Sequence, residues 1–150
     1  MILRSMARHL ATFAAVSALV ACASAAPRTA EYLTVAGGPP RPFSPAVRVN
    51  GFLYLSGQVG TDSTGKVVAG GIKAETKQVM DNIGGVLTRN GSSFARVIKC
   101  TVFLADMSEW GTMNEVYATY FPADKRPARS AMGVNGLALG ARVEIECIAI

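Results

Sequence analysis

The hydrophobic and polar positions change period several times along the chain. Two apolar, strand-like runs at 46–49 and 52–56 flank Asn50-Gly51, a dipeptide suited to the two positive φ angles of a type I′ turn. Residues 72–89 instead place apolar side chains at helical spacing and are followed by a glycine-containing stop signal. These patterns predict a β-hairpin and then a long helix.

A second strand and helix pattern follows. Residues 97–104 alternate as a strand, and Asp106 with Glu109 has the spacing of a capping box at the start of a helix. Further strands are predicted near 130–134 and 142–150, so the order is β-hairpin, α, β, α, β, β. This order predicts an α+β fold in which both helices pack on one face of a mixed sheet. The inner side of the second helix is expected to carry Trp110, Met113, Val116, Tyr117, Tyr120 and Phe121.

The last strand divides its side chains between two faces. One face carries only apolar and thiol side chains, whereas the other carries Glu144 and Glu146 beside Ile148 and Ile150. A second copy of the chain is the most economical cover for that mixed face, so we expect a symmetric oligomer. Under a cover, one carboxylate would be partly desolvated and suited to general acid or base chemistry; on a bare edge, both would be solvated. The pattern does not decide between these alternatives.

The first 26 residues have the pattern of an export signal. Arg4 and Arg8 give a basic start, and residues 10–21 are uncharged, mostly apolar and too short for a comfortable membrane span. Two cleavage alternatives remain. Residues 23–25 offer an A-x-A site for ordinary release, whereas a lipobox ending at Cys22 would leave a lipidated cysteine. We expect export, to the periplasm of a bacterium, with membrane contact only if Cys22 is lipidated.

The rest of the chain divides into a lead-in and one domain. Residues 27–42 are rich in proline and glycine, and 43–150 hold the strand and helix patterns. A length of 150 residues with 50% hydrophobic residues supports one core and excludes wholesale disorder. Removal of 1–26 would lower the net charge from +5 to +3, since 13 basic residues would remain against 10 acidic ones. The basic residues are scattered, so no nucleic-acid partner is predicted.

The sequence offers few histidine and cysteine side chains for catalysis or metal binding. The chain's one histidine, His9, lies in the predicted leader, so a histidine-based triad or zinc site is not expected in the mature protein. Cys100 and Cys147 each lie in an apolar strand pattern without a CxxC partner, which favours separate buried thiols. In an exported protein they could also pair, and spacing alone does not decide this.

Six short motifs between Pro42 and Ile150 resemble those of the RidA family, also called YjgF, in their order and spacing. Together they cover nearly all of the predicted domain. They are 42–47 (PFSPAV), 53–58 (LYLSGQ), 102–107 (VFLADM), 113–117 (MNEVY), 127–130 (PARS) and 143–146 (VEIE).

This resemblance implies a chorismate-mutase-like fold assembled as a homotrimer. It also implies clefts between subunits that hydrolyse reactive enamines and imines derived from amino acids, giving 2-oxo acids and ammonia without a cofactor or a metal. By the same resemblance, Arg129 would hold the substrate carboxylate, for which its planar guanidinium is suited, and Glu144 would position or activate water.

The resemblance further implies a set of substrate-binding positions. Ala131 stands where some members carry cysteine, and Phe43 stands where the family often has tyrosine, so a hydroxyl is missing there. The implied substrate-binding residues are Phe43, Ser56, Gly57, Asn114 and Ala131.

Two other functions compete with the deaminase. A non-catalytic trimeric binding module could hold small carboxylates in the same clefts, with Arg129 as the anchor. A glutamate beside the arginine favours the enzyme, because a carboxylate binder gains nothing from it. RNA cleavage is disfavoured by the predicted export and by the scattered basic residues.

Overall fold

The computed structural model describes residues 29–35, 37 and 40–150, so the predicted leader, with both of its cleavage alternatives, lies outside the described residues. Within them, short 3₁₀ turns join nine strands and helices. These are β1 (Glu31–Leu33), β2 (Ala46–Val49), β3 (Phe52–Leu55), β4 (Gln58–Val59), α1 (Gly71–Arg89), β5 (Val97–Leu104), α2 (Trp110–Tyr117), β6 (Ala128–Gly133) and β7 (Val143–Ala149).

The strands form one mixed sheet in the order β1-β2-β3-β7-β5-β6, with β4 also paired to β7. The β5–β6 pair is parallel and the other pairs are antiparallel. Both helices lie over one face, where their apolar side chains and those of the central strands form the core. The α+β fold with two helices on one face of a mixed sheet is therefore confirmed.

Local sequence signals explain the hairpin and the first helix. Asn50 and Gly51 have φ angles of 52° and 81°, so the predicted type I′ turn joins β2 to β3, with Val49 opposite Phe52. Helix α1 begins after Gly70, whose φ of 112° favours glycine. It buries the predicted apolar stripe against the sheet.

Strand β1 changes the prediction for the lead-in. It lies within 27–42, which was expected to precede the domain, yet it pairs antiparallel with β2, and Glu31 forms an ion pair with Arg48 at 3.4 Å. A three-residue strand has too few positions to show a period of two, so composition alone hides it. The ordered sheet therefore begins before residue 43.

The start of the second helix also differs from the prediction. Asp106 accepts a hydrogen bond from the Ser108 backbone N–H at 2.8 Å and opens a 3₁₀ turn before α2. The Glu109 carboxylate does not close the capping box, because it binds the Arg142 guanidinium at 2.6 Å instead. Trp110 is not on the inner side as expected, since 40% of its surface is exposed.

The two core cysteines are bonded to each other. Cys100 on β5 lies directly opposite Cys147 on β7, with 4.1 Å between their Cα atoms, and the two form a disulfide. Both are buried, as predicted, but the favoured interpretation as separate thiols is wrong. Strand register, which sequence spacing does not reveal, places them opposite one another.

Candidate active site

Arg129 lies on β6, at the edge of the sheet, on the face covered by the helices. Its parallel partner on β5 is Cys100, which is buried under the helices, so the two side chains point to the same side. Helix α2 passes above this edge. The Arg129 Nη1 atom donates a hydrogen bond to Asn114 Oδ1 at 2.6 Å, so two predicted site residues are in direct contact.

Two aromatic rings complete the surroundings of the guanidinium. Its central carbon lies 4.8 Å from the ring centre of Tyr117 and 5.7 Å from that of Trp110. Both distances are within cation–π range. Burial raises the pKa of Tyr117 to about 12, and the nearby Arg129 only partly opposes this, so the phenol stays neutral at physiological pH.

Within the described residues, the close partners of Arg129 are all neutral. Among the described residues, no carboxylate forms an ion pair with it. A half-buried guanidinium whose positive charge is uncompensated is well suited to bind an anionic ligand. Ala131, two residues further along β6, packs against the core on the same side. We call Arg129, Asn114, Trp110, Tyr117 and Ala131 the arginine half-site.

Glu144 lies on the opposite face of the sheet. Its neighbours in β7, Val143 and Ile145, are fully buried under the helices. Alternation therefore directs Glu144 to the face that the helices do not cover, which we call the open face. A Cβ atom added at Gly57 would overlap Glu144 Oε1 and lie 2.9 Å from Cδ. Gly57 is therefore needed for the close approach of this carboxylate to the backbone.

The segment that precedes Gly57 is tied to the loop that carries Phe43. The Ser56 hydroxyl donates to the Ser44 carbonyl oxygen at 2.7 Å, and the Ser56 N–H donates to the Pro45 carbonyl oxygen at 3.0 Å. Phe43 is 51% exposed, with the Arg41 guanidinium 5.9 Å from its ring centre. We call Glu144, Gly57, Ser56 and Phe43 the glutamate half-site.

The structure brings the predicted site residues together as two groups rather than one. Arg129 and Glu144 point to opposite faces of the same sheet, so one chain does not unite the two proposed catalytic side chains. A cleft of about 530 Å³ includes Phe43 and Ser44 in its wall, but neither Arg129 nor Glu144 lines it. A single site would require a second copy of the chain.

The described part of the chain lacks two further features. No group of three or more histidine, cysteine, aspartate or glutamate side chains in this region is arranged to hold a metal ion. None of the helices there is long and apolar enough to cross a membrane.

Sequence reasoning missed the role of Trp110 and Tyr117 beside Arg129. It assigned both to the core as members of an aromatic row. The available signal was their spacing relative to Asn114, because positions 110, 114 and 117 lie on one face of a helix. The strand that Asn114 faces could not be read from that spacing.

Comparisons with known proteins agree with this architecture. The family model described as "Endoribonuclease L-PSP" matches residues 34–150. A mouse protein named 2-iminobutanoate/2-iminopropanoate deaminase is 50% identical over 110 residues, which cover 73% of this chain and 81% of that protein.

Solved structures of related proteins have the same fold. The crystal structure of yeast Mmf1 matches with a TM-score of 0.75 and 36% identity, covering 81% of this chain and 98% of that one. RidA from an Antarctic Psychrobacter bacterium matches with a TM-score of 0.69 and 36% identity, covering 79% and 93%. The chain therefore belongs to the endoribonuclease L-PSP family, which is the RidA (YjgF) family that its motifs resemble.

Proposed function

We propose that this protein hydrolyses reactive 2-imino acids and their enamine forms to 2-oxo acids and ammonia. The observation that carries the proposal is Arg129, a half-buried cation that Asn114 and two aromatic rings hold without a carboxylate partner in the described region. The mouse and human relatives named 2-iminobutanoate/2-iminopropanoate deaminase support this activity and its small substrates.

The chemistry requires only groups that the chain supplies. The substrate carboxylate binds the guanidinium of Arg129, which orients the imine carbon. Glu144 accepts a proton from water as the water oxygen bonds to that carbon, and returns the proton to the nitrogen. Collapse of the carbinolamine then moves its hydroxyl proton to the nitrogen through the same carboxylate, breaks the carbon–nitrogen bond and releases ammonia and the 2-oxo acid. The balance is one imine and one water consumed, without a cofactor or a metal.

The catalytic unit in this proposal is a homotrimer. The arginine half-site of one copy meets the glutamate half-site of the next, because one chain holds them on opposite faces. The open face also exposes large apolar side chains that another copy would cover. They include Phe52, Tyr54 and Ile150.

The first experiment measures 2-oxo acid release from 2-iminopropanoate and 2-iminobutanoate that an amino-acid oxidase generates in situ. The parent protein should accelerate release, and both Arg129→Ala and Glu144→Gln should abolish most of the acceleration. A parent protein that folds but gives no acceleration would refute the deaminase.

Mixing the two inactive variants tests whether the site lies between copies. After unfolding and joint refolding, random assembly would give about a quarter of the sites both an intact arginine and an intact glutamate. Recovery near that share supports a shared site, whereas no recovery places both groups in one chain. Each variant refolded alone is the control.

The binding module remains the alternative outcome of the first experiment. Trp110 is the only tryptophan in the chain, and it lies beside Arg129. Its fluorescence should therefore respond to 2-oxobutanoate. A response without turnover in the parent protein would identify a carboxylate binder.

We also propose that the protein is exported, whereas one relative is named as chloroplastic. The leader pattern supports export, and so does the buried Cys100–Cys147 disulfide, because such bonds persist in oxidising compartments. Expression of the full chain in a bacterium tests this. Intact mass of the periplasmic and membrane fractions would distinguish release near residues 23–25, lipidation at Cys22 and an uncleaved cytoplasmic product.

A further inference from the structure

A buried carboxylate of helix α1 holds the start of the strand that carries Glu144. Glu75 is only 5% exposed, and its Oε2 atom accepts a hydrogen bond from the Arg142 backbone N–H at 2.8 Å. A buried carboxylate is costly unless hydrogen bonds compensate it. This bond fixes the residue immediately before β7.

The Arg142 side chain extends this contact to the second helix. Its Nη1 atom donates to Glu109 Oε1 at 2.6 Å, while its Nε atom lies 4.0 Å from Glu75 Oε1. The hydrogen bond to Glu109 is the main reason why the pKa of Arg142 is raised, and the charges of Glu109, Glu75 and Asp106 add to it. Arg142 therefore links α1 to the turn that opens α2.

The backbone of Glu75 also packs closely against the end of β4, a strand that pairs with Glu144. Val59 of β4 pairs with Glu144, and the next residue, Gly60, is pressed against α1. A Cβ atom at Gly60 would lie 2.8 Å from the Glu75 carbonyl oxygen. Helix α1 at Glu75 is thus in close contact with two of the segments around Glu144, the residue before β7 and the residue after β4, while β5 pairs with Glu144 from the other side.

We propose that Glu75 and Arg142 are positioning residues that hold the start of β7 so that Glu144 is placed for catalysis. This role rests on the proposed deaminase function. Neither residue contacts substrate in the proposal. They act through the backbone at Arg142, which lies immediately before β7 and two residues before Glu144, and through the contact of Glu109 with Arg142.

The test uses Glu75→Gln and Arg142→Gln in the full chain, with steady-state hydrolysis of 2-iminobutanoate. Glu75→Gln keeps an oxygen for the Arg142 N–H but removes the charge that attracts the guanidinium. We expect kcat, corrected for folded protein, to fall on the order of tenfold in each variant, because small displacements of reacting groups have effects of this size or larger. KM should change less than twofold, since the arginine half-site is intact.

A double-mutant cycle separates positioning from simple loss of stability. If Glu75 acts through Glu144, Glu75→Gln should cost little further activity in a Glu144→Gln background. Lys73→Gln is the matched control, because it breaks an exposed ion pair between α1 and Glu115 of α2 that does not touch β7. This variant should keep the parent kcat.

Three results would overturn the positioning role. Equal losses of kcat in the parent and Glu144→Gln backgrounds would show that Glu75 acts independently of Glu144. A fall in folded fraction with kcat per folded molecule unchanged would show a structural role only, as would equal losses in Lys73→Gln. A parent protein without activity would instead refute the proposed function, and the positioning role with it.

Discussion

Gly57→Ala changes a single hydrogen to a methyl group at a point where the Glu144 side chain lies close to the backbone. Gly57 does not have a positive φ, so alanine can adopt its backbone conformation without strain. The three atoms nearest to the new Cβ all belong to the Glu144 side chain. The carboxylate can therefore rotate away, and the main chain need not move.

The size of the displacement follows from the contact distances. The new Cβ would lie 2.9 Å from Glu144 Cδ, whereas carbon atoms pack at about 3.5–4.0 Å. The carboxylate must therefore move by about 1 Å, and a misplacement of that size can cost about 100-fold in rate. Stability should change by less than about 0.5 kcal/mol, as is usual away from buried features.

The assay combines 2-iminobutanoate hydrolysis with thermal unfolding. Gly111→Ala is the matched control, because a Cβ there meets nothing within 4 Å and the residue lies in α2. The control should keep the parent activity and gain up to about 1 kcal/mol of stability from helix propensity. Wild-type kcat in Gly57→Ala, with an unchanged melting temperature, would refute the role given to the Glu144 carboxylate position.

Three further predictions concern charge, ionisation and the disulfide. Asn114→Asp places a carboxylate beside the Arg129 guanidinium, so KM for 2-imino acids should rise at least tenfold while the fold is retained; an unchanged KM in the hydrolysis assay would contradict the carboxylate-binding role. Because the pKa of Tyr117 is raised to about 12 by burial, the unfolded phenol ionises first and stability is lost as pH rises from about 10 to 12. Urea unfolding at several pH values should show a smaller alkaline loss in Tyr117→Phe. Reduction of Cys100–Cys147, which closes a 47-residue separation, should lower the free energy of unfolding by about 4 kcal/mol, measured with and without a thiol reductant.

The features predicted best from the sequence are those that local interactions determine. The β2–β3 turn follows from the backbone preferences of Asn50 and Gly51, and α1 follows from an apolar stripe long enough to be distinguished from a strand. The division of β7 into a buried and an open face also follows from alternation alone, which is why the face of Glu144 was predictable.

The features that were missed depend on which segments meet in space. The Cys100–Cys147 bond and the position of Trp110 over Arg129 both depend on strand and helix pairing at long sequence separation. Glu109 illustrates a competition between local and distant partners, since its spacing fits a capping box but the Arg142 guanidinium takes its carboxylate. A charged partner forms the stronger hydrogen bond, and its location is not encoded in local spacing.

The separation of Arg129 and Glu144 on opposite faces has a consequence for the proposed chemistry. Side by side in one chain, an arginine and a glutamate would form an ion pair, and the cation would no longer be free for a substrate carboxylate. Here the Arg129 guanidinium contacts only Asn114 and two neutral rings, so its charge remains uncompensated within the described chain. In the proposed trimer, the glutamate of the next copy would face the substrate rather than fill the arginine's binding position. The fold of one chain thus keeps the Arg129 guanidinium and the Glu144 carboxylate apart, and assembly would bring them to opposite ends of the same small substrate.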